Sequence, residues 1–474
     1  MEQDHNTRKS KSSIGKFSPF RIISLVVSFW KQPNVLINLD VDNGCGGVDN
    51  RYFSLLIGRN GVGKSVLLRE VVDLFVYAKT GYENNNKKQI TIKSLKYTLC
   101  GHEYVIERDK SKFNYFYDGR DVGVKDMKFP IIIASTMGVF DKFPYRKPGG
   151  PYDTPLYHYI GPRAGNNIIA TKTYLLMQML ANLNGIEQLA QLSRVADILK
   201  FIGYDTKILL RFKVKDSKGD STFVEKKIKL SNKCQHYLAQ IGESAEKEVS
   251  LDFKNSSLQH VKCLNLKEIN ELRQAKLLSW QQCFLFRDGI KIDCNHLSSG
   301  EFNMFCVVMS VVMSANNSHV LVLLDEPEIS QHPNWQIDII DNLDNALKGY
   351  NCHFLIATHC HFLVSNLPTG RSNVIDIEVD EQEMVEILPL EADTFGWSAE
   401  EVLLKAFKMT TDRNRYLAEI VGRLLNRIAK NDISMDQVEN EVRFLKIVSR
   451  NLKVVDPMKK IISTIIEEFN DGNE

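Results

Sequence analysis

Four short stretches of this chain place polar and charged residues at spacings suited to phosphate chemistry. The first is Gly58-Arg59-Asn60-Gly61-Val62-Gly63-Lys64-Ser65, after the apolar run Phe53 to Ile57 and before Val66, Leu67, Leu68, Val71, Val72 and Leu74. Glycines let such a loop curl until successive N–H groups converge on one phosphate, and the following helix adds its positive end. Gly58, Asn60, Gly61 and Gly63 would form the cradle, Lys64 would reach the β- and γ-phosphates, and the Ser65 hydroxyl would ligate Mg2+. The second stretch is the run Val320 to Leu324 ending in Asp325-Glu326. A continuous apolar run predicts a strand buried on both faces of a parallel sheet. Two carboxylates at its end are costly unless they have work to do. Asp325 can hold the magnesium through water, and Glu326 can polarise the water that attacks a γ-phosphate. The third is Leu297-Ser298-Ser299-Gly300-Glu301, and the fourth is Phe354 to Phe362, with His359 following a strand. Alone, the third is a common loop and the fourth an ordinary histidine. Together they suit a phosphate-bearing ligand held with Mg2+.

The elements that must position these residues belong to an ordinary globular chain. Of 474 residues, 43% are hydrophobic and 25% charged, enough for a full core. The net charge of +2 does not advertise nucleic acid, so any basic surface must be local. No apolar run reaches the roughly 18 to 20 residues of a membrane span. The first residues lack the apolar core of a secretory signal, so a cytoplasmic location is expected. Nine cysteines without a CxxC pair read as reduced thiols. The cluster from Cys352 to Phe362 lacks a second ligand group at zinc spacing and reads as a strand and turn.

In that order, the phosphate loop, the Leu297–Glu301 stretch, the acidic strand and His359 resemble the ABC-type ATPases. The resemblance implies an α/β fold, an ATPase head with a mixed sheet flanked by helices and an antiparallel β subdomain. It also implies a head-to-tail dimer or higher homo-oligomer, in which Ser298, Ser299 and Gly300 of one copy meet the γ-phosphate held by the other. His359 would be the switch histidine, catalytic together with Glu326. The phrases "DEPEISQHPNWQ" and "ATHCHFLVSNLP" are similar to RecF-like and OLD-like ATPases more than to transporters, although Cys360 stands where serine is usual. The long interval between Lys64 and Leu297 also argues against a transporter. Within it there is no sustained heptad pattern and no zinc hook.

The resemblance extends to ATPase subunits of anti-phage systems such as Septu, retron-associated Septu-like systems and PARIS, which implies a separate nuclease partner of HNH or TOPRIM type. The alternative is a RecF- or SMC-like repair ATPase clamping duplex DNA. The expected organisation is a flexible basic tail (1–17), the N-terminal half of the head (18–165) and an inserted helical and hairpin region (166–290). The C-terminal half of the head (291–395) and terminal helices (396–474) complete it. Strands are expected over Gln89 to Tyr117, a loop over Tyr157 to Asn167, and helices near Thr171–Leu183 and Ile186–Phe201. Leu266, Ile269 and Leu272 open another helix, and two long helices are expected near Ala399–Lys430 and Met435–Phe469.

Arg211, Lys213 and Lys215 share one face of a strand, and Lys227 and Lys229 continue it after a turn. That hairpin fits either a solvated face or a surface that follows a nucleic-acid backbone. Asp376, Glu378 and Asp380 alternate with apolar residues and read as the solvent face of a terminal hairpin rather than a nuclease centre. Arg163 reads equally as a loop residue near the nucleotide or a structural one. No glutamine follows Ile131-Ile132-Ile133, so the nucleotide-sensing glutamine is left unassigned.

Overall fold

The strand leading into the phosphate loop alternates its side chains between two hydrophobic cores. The computed structural model describes residues 19–40, 50–82, 89–109, 112–136, 138, 141–147, 149–163, 195–197, 199–200, 202–214, 231–240, 246–254, 257–259, 271–272, 277–314, 319–329, 331–380, 382–390, 393–409, 415–429, 435–452 and 456–471. The strands are β1 (Arg21–Phe29), β2 (Gln32–Asn38), β3 (Arg51–Gly58), β4 (Ile90–Leu99), β5 (His102–Asp109), β6 (Lys112–Tyr117), β7 (Arg120–Val122), β8 (Ile131–Thr136) and β9 (Tyr157–Ile160). They continue with β10 (Lys207–Val214), β11 (Glu246–Asp252), β12 (Ser257–Gln259), β13 (Leu278–Arg287), β14 (Ile290–Asp293), β15 (His319–Asp325), β16 (Asn351–Ala357), β17 (Ser372–Val379) and β18 (Val385–Pro389). The helices are α1 (Lys64–Thr80), α2 (Asn232–Gln240), α3 (Ser299–Ser314), α4 (Pro333–Ala346), α5 (His361–Ser365), α6 (Ala399–Lys405), α7 (Arg415–Ala429), α8 (Met435–Asn451) and α9 (Pro457–Asp471).

The central sheet runs β18-β17-β3-β16-β15-β8-β9, parallel throughout except for β18. Phe53, Leu55 and Ile57 of β3 enter one core with Val320, Val322 and Leu324 of β15, α3 and the sheet containing β10. Leu56, Leu321 and Leu323 point the other way, into a core shared with α1 and the antiparallel sheet β2-β1-β4-β5-β6-β7. That period of two is what a strand buried on both faces requires. Helices α7 to α9 close a third core around Leu424, Leu445 and Ile462.

Buried His353 stitches the first two sheets together. Its Nδ1 accepts from the Ile22 N–H at 2.9 Å, and its Nε2 lies 2.9 Å from Ser54 Oγ, which itself donates to Leu39 O at 2.8 Å. Because Nδ1 accepts, the ring proton sits on Nε2. Burial, reinforced by Arg21, drives its pKa well below 6.5.

Several sequence expectations change here. Tyr157 to Ile160 is a strand on the sheet edge, because its backbone has β8 to pair with. The expected hairpin is instead a five-stranded sheet, β12-β11-β10-β13-β14, in which β11 and β13 take both edges of β10. Arg211 bonds Glu248 and Gln282 and lies over Phe284, and Lys213 stands opposite Glu246. The basic face is therefore partly neutralised across the strand. Lys215, Lys227 and Lys229 lie outside the described residues, as do the 171–183 helix and the start of the next, although 195–197 and 199–200 are helical. Leu266 and Ile269 also lie outside, and Leu272 is helical and buried. The two expected terminal helices are four. Lys408, at φ 52, ends the first after α6, and Pro457, which cannot continue a helix, starts α9.

His353→Ala strips partners from two buried polar groups and should cost about 2–5 kcal/mol in urea unfolding. The folded pKa lies below the unfolded 6.5, so the unfolded chain binds the extra proton. The histidine's contribution is present above about pH 6.5 and is lost as the pH falls below it. The stability gap between wild type and variant should therefore narrow on acidification. A gap independent of pH would contradict this assignment.

Candidate nucleotide site

At the C-terminal edge of the central sheet the chain leaves β3 through three glycines in left-handed conformation. Gly58, Gly61 and Gly63 have φ of 139°, 87° and 98°. A Cβ at 58 would sit 2.2 Å from the backbone Ile377 O, which leaves no room for a side chain; one at 63 would meet the end of the Ile90 side chain at 2.2 Å and is disfavoured chiefly by the left-handed φ. Helix α1 then starts with no side-chain cap, which leaves its first N–H groups directed at the loop interior, as an anion requires. Lys64 Nζ donates to Gly58 O at 2.8 Å and Arg59 O at 3.1 Å.

Strand order sets the rest of the geometry. Because β16 lies between β3 and β15, the segment after β16 emerges between the loop and the acidic pair. Ser65 Oγ donates to Asp325 Oδ1 at 2.8 Å, an oxygen pair suited to one divalent cation. His359 Nε2 lies 3.7 Å from Glu326 Oε1. Glu326 takes φ 49 immediately after the strand while its N–H donates to Ala357 O, which turns its carboxylate toward the histidine. The fit to a magnesium-bound triphosphate thus rests on uncapped N–H groups, one cation and facing hydroxyl and carboxylate oxygens.

Burial sets the electrostatics. It lowers the Lys64 pKa to about 8 against the pull of Glu326, Asp325 and Asp376. It raises Asp325 to about 6, with the Ser65 hydrogen bond opposing. His359 falls to about 4 through burial and then the nearby Lys64 charge, so its ring is neutral at physiological pH.

Ser298 precedes α3, and Ser299 and Gly300 form its first residues. Ser298 Oγ accepts from the Glu301 N–H at 3.2 Å and Glu301 Oε2 accepts from the Ser298 N–H at 2.9 Å, a reciprocal helix cap. The Gly300 position faces Gln331, whose Cγ would be 3.0 Å from a Cβ. The described contacts of these residues are thus within their own helix start and with Gln331.

Other residues join the site without having been singled out. Glu328 accepts from Thr358 Oγ1 and from the His359 N–H, both at 2.8 Å, and so fixes the histidine's backbone. Its signal was the second glutamate of "DEPE". Trp30, 42% exposed at the β1–β2 turn, has its Cη2 3.9 Å from a Cβ built on Gly63. No motif marked it. Asp141 is buried, contributes to the raised pKa of Asp325, and pairs with Arg163 at 2.9 Å. That pairing, with a bond to Phe143 O, gives Arg163 a structural partner.

Asp376 departs from its expected place. It is 2% exposed rather than solvated, because β17 is flanked by β3 and β18 and covered by Lys408. Asp380 accepts from the Gln382 and Met384 N–H groups in the hairpin turn.

A family model described as AAA ATPase domain matches residues 167–364. A probable ATPase of retron Vc95 from Vibrio cholerae serotype O1 biovar El Tor is 25% identical over 129 residues, 25% of this chain and 24% of that protein. The chain thus matches about a quarter of the relative's length. Among solved structures, the SMC head domain from Thermotoga maritima is 11% identical with a TM-score of 0.37, over 78% of this chain and 100% of that one. Stu0660 of Streptococcus thermophilus is 10% identical with a TM-score of 0.34, over 94% and 93%. Sheet order, loop geometry and the matching ATPase domain together show an α/β fold of the P-loop ATPase kind. Among the described residues, no helix is long and apolar enough to cross a membrane.

Removing the Glu328 carboxylate frees the His359 backbone. Glu328→Ala should lower ATP turnover by about a hundredfold while leaving ATP affinity little changed, since a misplacement of order 1 Å costs that much. Glu328→Gln keeps one acceptor oxygen and should restore most of the rate. Equal rates in wild type and the alanine variant would remove Glu328 from the site.

Proposed function

We propose that this chain binds ATP, closes with a second copy around it and hydrolyses it slowly, and that this cycle regulates a separate nuclease in anti-phage defence. The observation that carries the reading is the division of the site. The phosphate loop, the acidic pair and His359 converge on one edge, while Ser298 caps its own helix start and Gly300 faces Gln331. A second copy supplies the missing helix N-terminus, where N–H groups and the helix dipole meet the γ-phosphate. The match to a retron-associated ATPase supports the defence role.

In this mechanism Lys64 exchanges the carbonyls of Gly58 and Arg59 for β- and γ-phosphate oxygens. Ser65 and Asp325 would hold magnesium, which when bound would offset the phosphate charge. Glu326 accepts the proton of the attacking water, and neutral His359 orients that water. Trp30 offers its ring to the adenine. The nuclease is a distinct protein of HNH or TOPRIM type, and the ATPase works in the cytoplasm.

Glu326→Gln should retain ATP binding, lose about 10²–10⁴ in hydrolysis rate, and sediment as a dimer with ATP and a monomer without it. Wild-type turnover in this variant, or a mass indifferent to ATP, would contradict the mechanism. Metal-dependent DNA cleavage by the purified chain, abolished by Asp376→Ala, would contradict the separate nuclease.

A further inference from the structure

Asp376 takes no part in the chemistry above, yet it sits against the phosphate loop. It pairs in register with Ile57, and the next residue, Ile377, pairs with Gly58. The close approach of Ile377 O to Gly58 means that the loop's first residue rests directly on the backbone of β17. Asp376 Oδ2 faces Lys408 Nζ at 3.6 Å. Lys408 is itself buried, donates to Lys405 O at 2.5 Å and lies 5.7 Å from the Phe444 ring of α8. Its neighbours Phe407 and Met409 share a cavity of about 400 Å³ with Arg59, Asn60, His359 and Glu378.

The segment carrying Lys408 also bridges two cores. Val402 and Ala406 enter the core beneath the central sheet, whereas Leu404 enters the core of α7 to α9. Arg443 of α8 pairs with Glu386 of β18 at 3.2 Å, a second tie to the same hairpin. Asp376 therefore stands between two cations, with the Glu378 carboxylate hydrogen-bonded beside it. Lys64 feels its charge from the nucleotide side, and Lys408 meets it from the helical side.

We propose that the Asp376–Lys408 pair couples the phosphate loop to helices α7 to α9, with Lys408 a positioning residue that acts through Asp376 and β17. This rests on the reading of Gly58 to Ser65 as an ATP site. Triphosphate arriving at Lys64 repels the Asp376 carboxylate and drives it toward Lys408, which shifts the helical core. Linkage makes the coupling reciprocal: whatever holds those helices changes ATP affinity by the same factor. A nuclease docked on α7 to α9 would then read the nucleotide state without touching it.

The test measures amide hydrogen exchange in Met435–Asn451 and affinity for a slowly hydrolysed ATP analogue, in wild type, Lys408→Met, Lys408→Arg and Asp376→Asn. Thermal melting checks the fold of each. In wild type and Lys408→Arg, nucleotide should change exchange in α8. Lys408→Met and the isosteric Asp376→Asn should both lose that response. Lys408→Met, which leaves the carboxylate uncompensated, should bind the analogue about five- to a hundredfold more weakly, whereas Asp376→Asn, which removes the repulsion, should bind it no more weakly than wild type. A wild type that binds nucleotide with no change in α8, or a Lys408→Met variant with the full response, overturns the coupling. A wild type that binds no nucleotide overturns the ATP site itself, and the coupling with it.

Discussion

Charge buried at the C-terminal edge of a parallel sheet is the constraint on which this structure depends. Lys64, Asp325 and Asp376 are each nearly removed from solvent, and burial works against the charged form of all three. Such groups persist only where partners compensate them. Here the compensation is mutual, through Ser65, the loop carbonyls, Lys408 and the attraction between the lysine and the acids. The same field is suited to a magnesium-bound triphosphate, which brings negative charge to the lysine and positive charge to Asp325.

Strand order makes that arrangement possible. Were β3 and β15 adjacent, no element would emerge between lysine and carboxylate, and His359 would have no route to Glu326. With β16 inserted, the histidine arrives between them and Glu328 clamps its backbone. The two cores on either face of the sheet hold these edges in register, and His353 ties the antiparallel sheet to the back of the same strands. The terminal helices form their own core but reach the phosphate loop through a short bridge.

The fold class was legible because glycine, lysine and paired acids at fixed spacing are hard to produce without the backbone that needs them. Gly58 is glycine because the backbone of β17 leaves no space for Cβ, and Gly63 because its φ of 98° strains any side chain. Asp376 was misplaced for an equally physical reason. Alternation reveals that a strand has two faces, but not which neighbour covers them, and Lys408 lies far along the chain. The pairing of the basic strand was similarly missed, since Glu248 and Gln282 come from strands that local pattern cannot assign as partners. Trp30 left no trace, because its relation to Gly63 arises only from packing one sheet over the loop.

In the proposed cycle each nucleotide pocket is built from two copies of the chain. That sharing is tested most directly by mixing two inactive variants, Lys64→Ala and Ser298→Glu. The second places a carboxylate at a helix N-terminus, where it suits the fold and repels phosphate. Mixed, the two should regain ATP turnover that neither has alone, because one intact pocket forms in each mixed pair. Turnover retained by Ser298→Glu alone, or none recovered on mixing folded variants, would contradict a shared pocket.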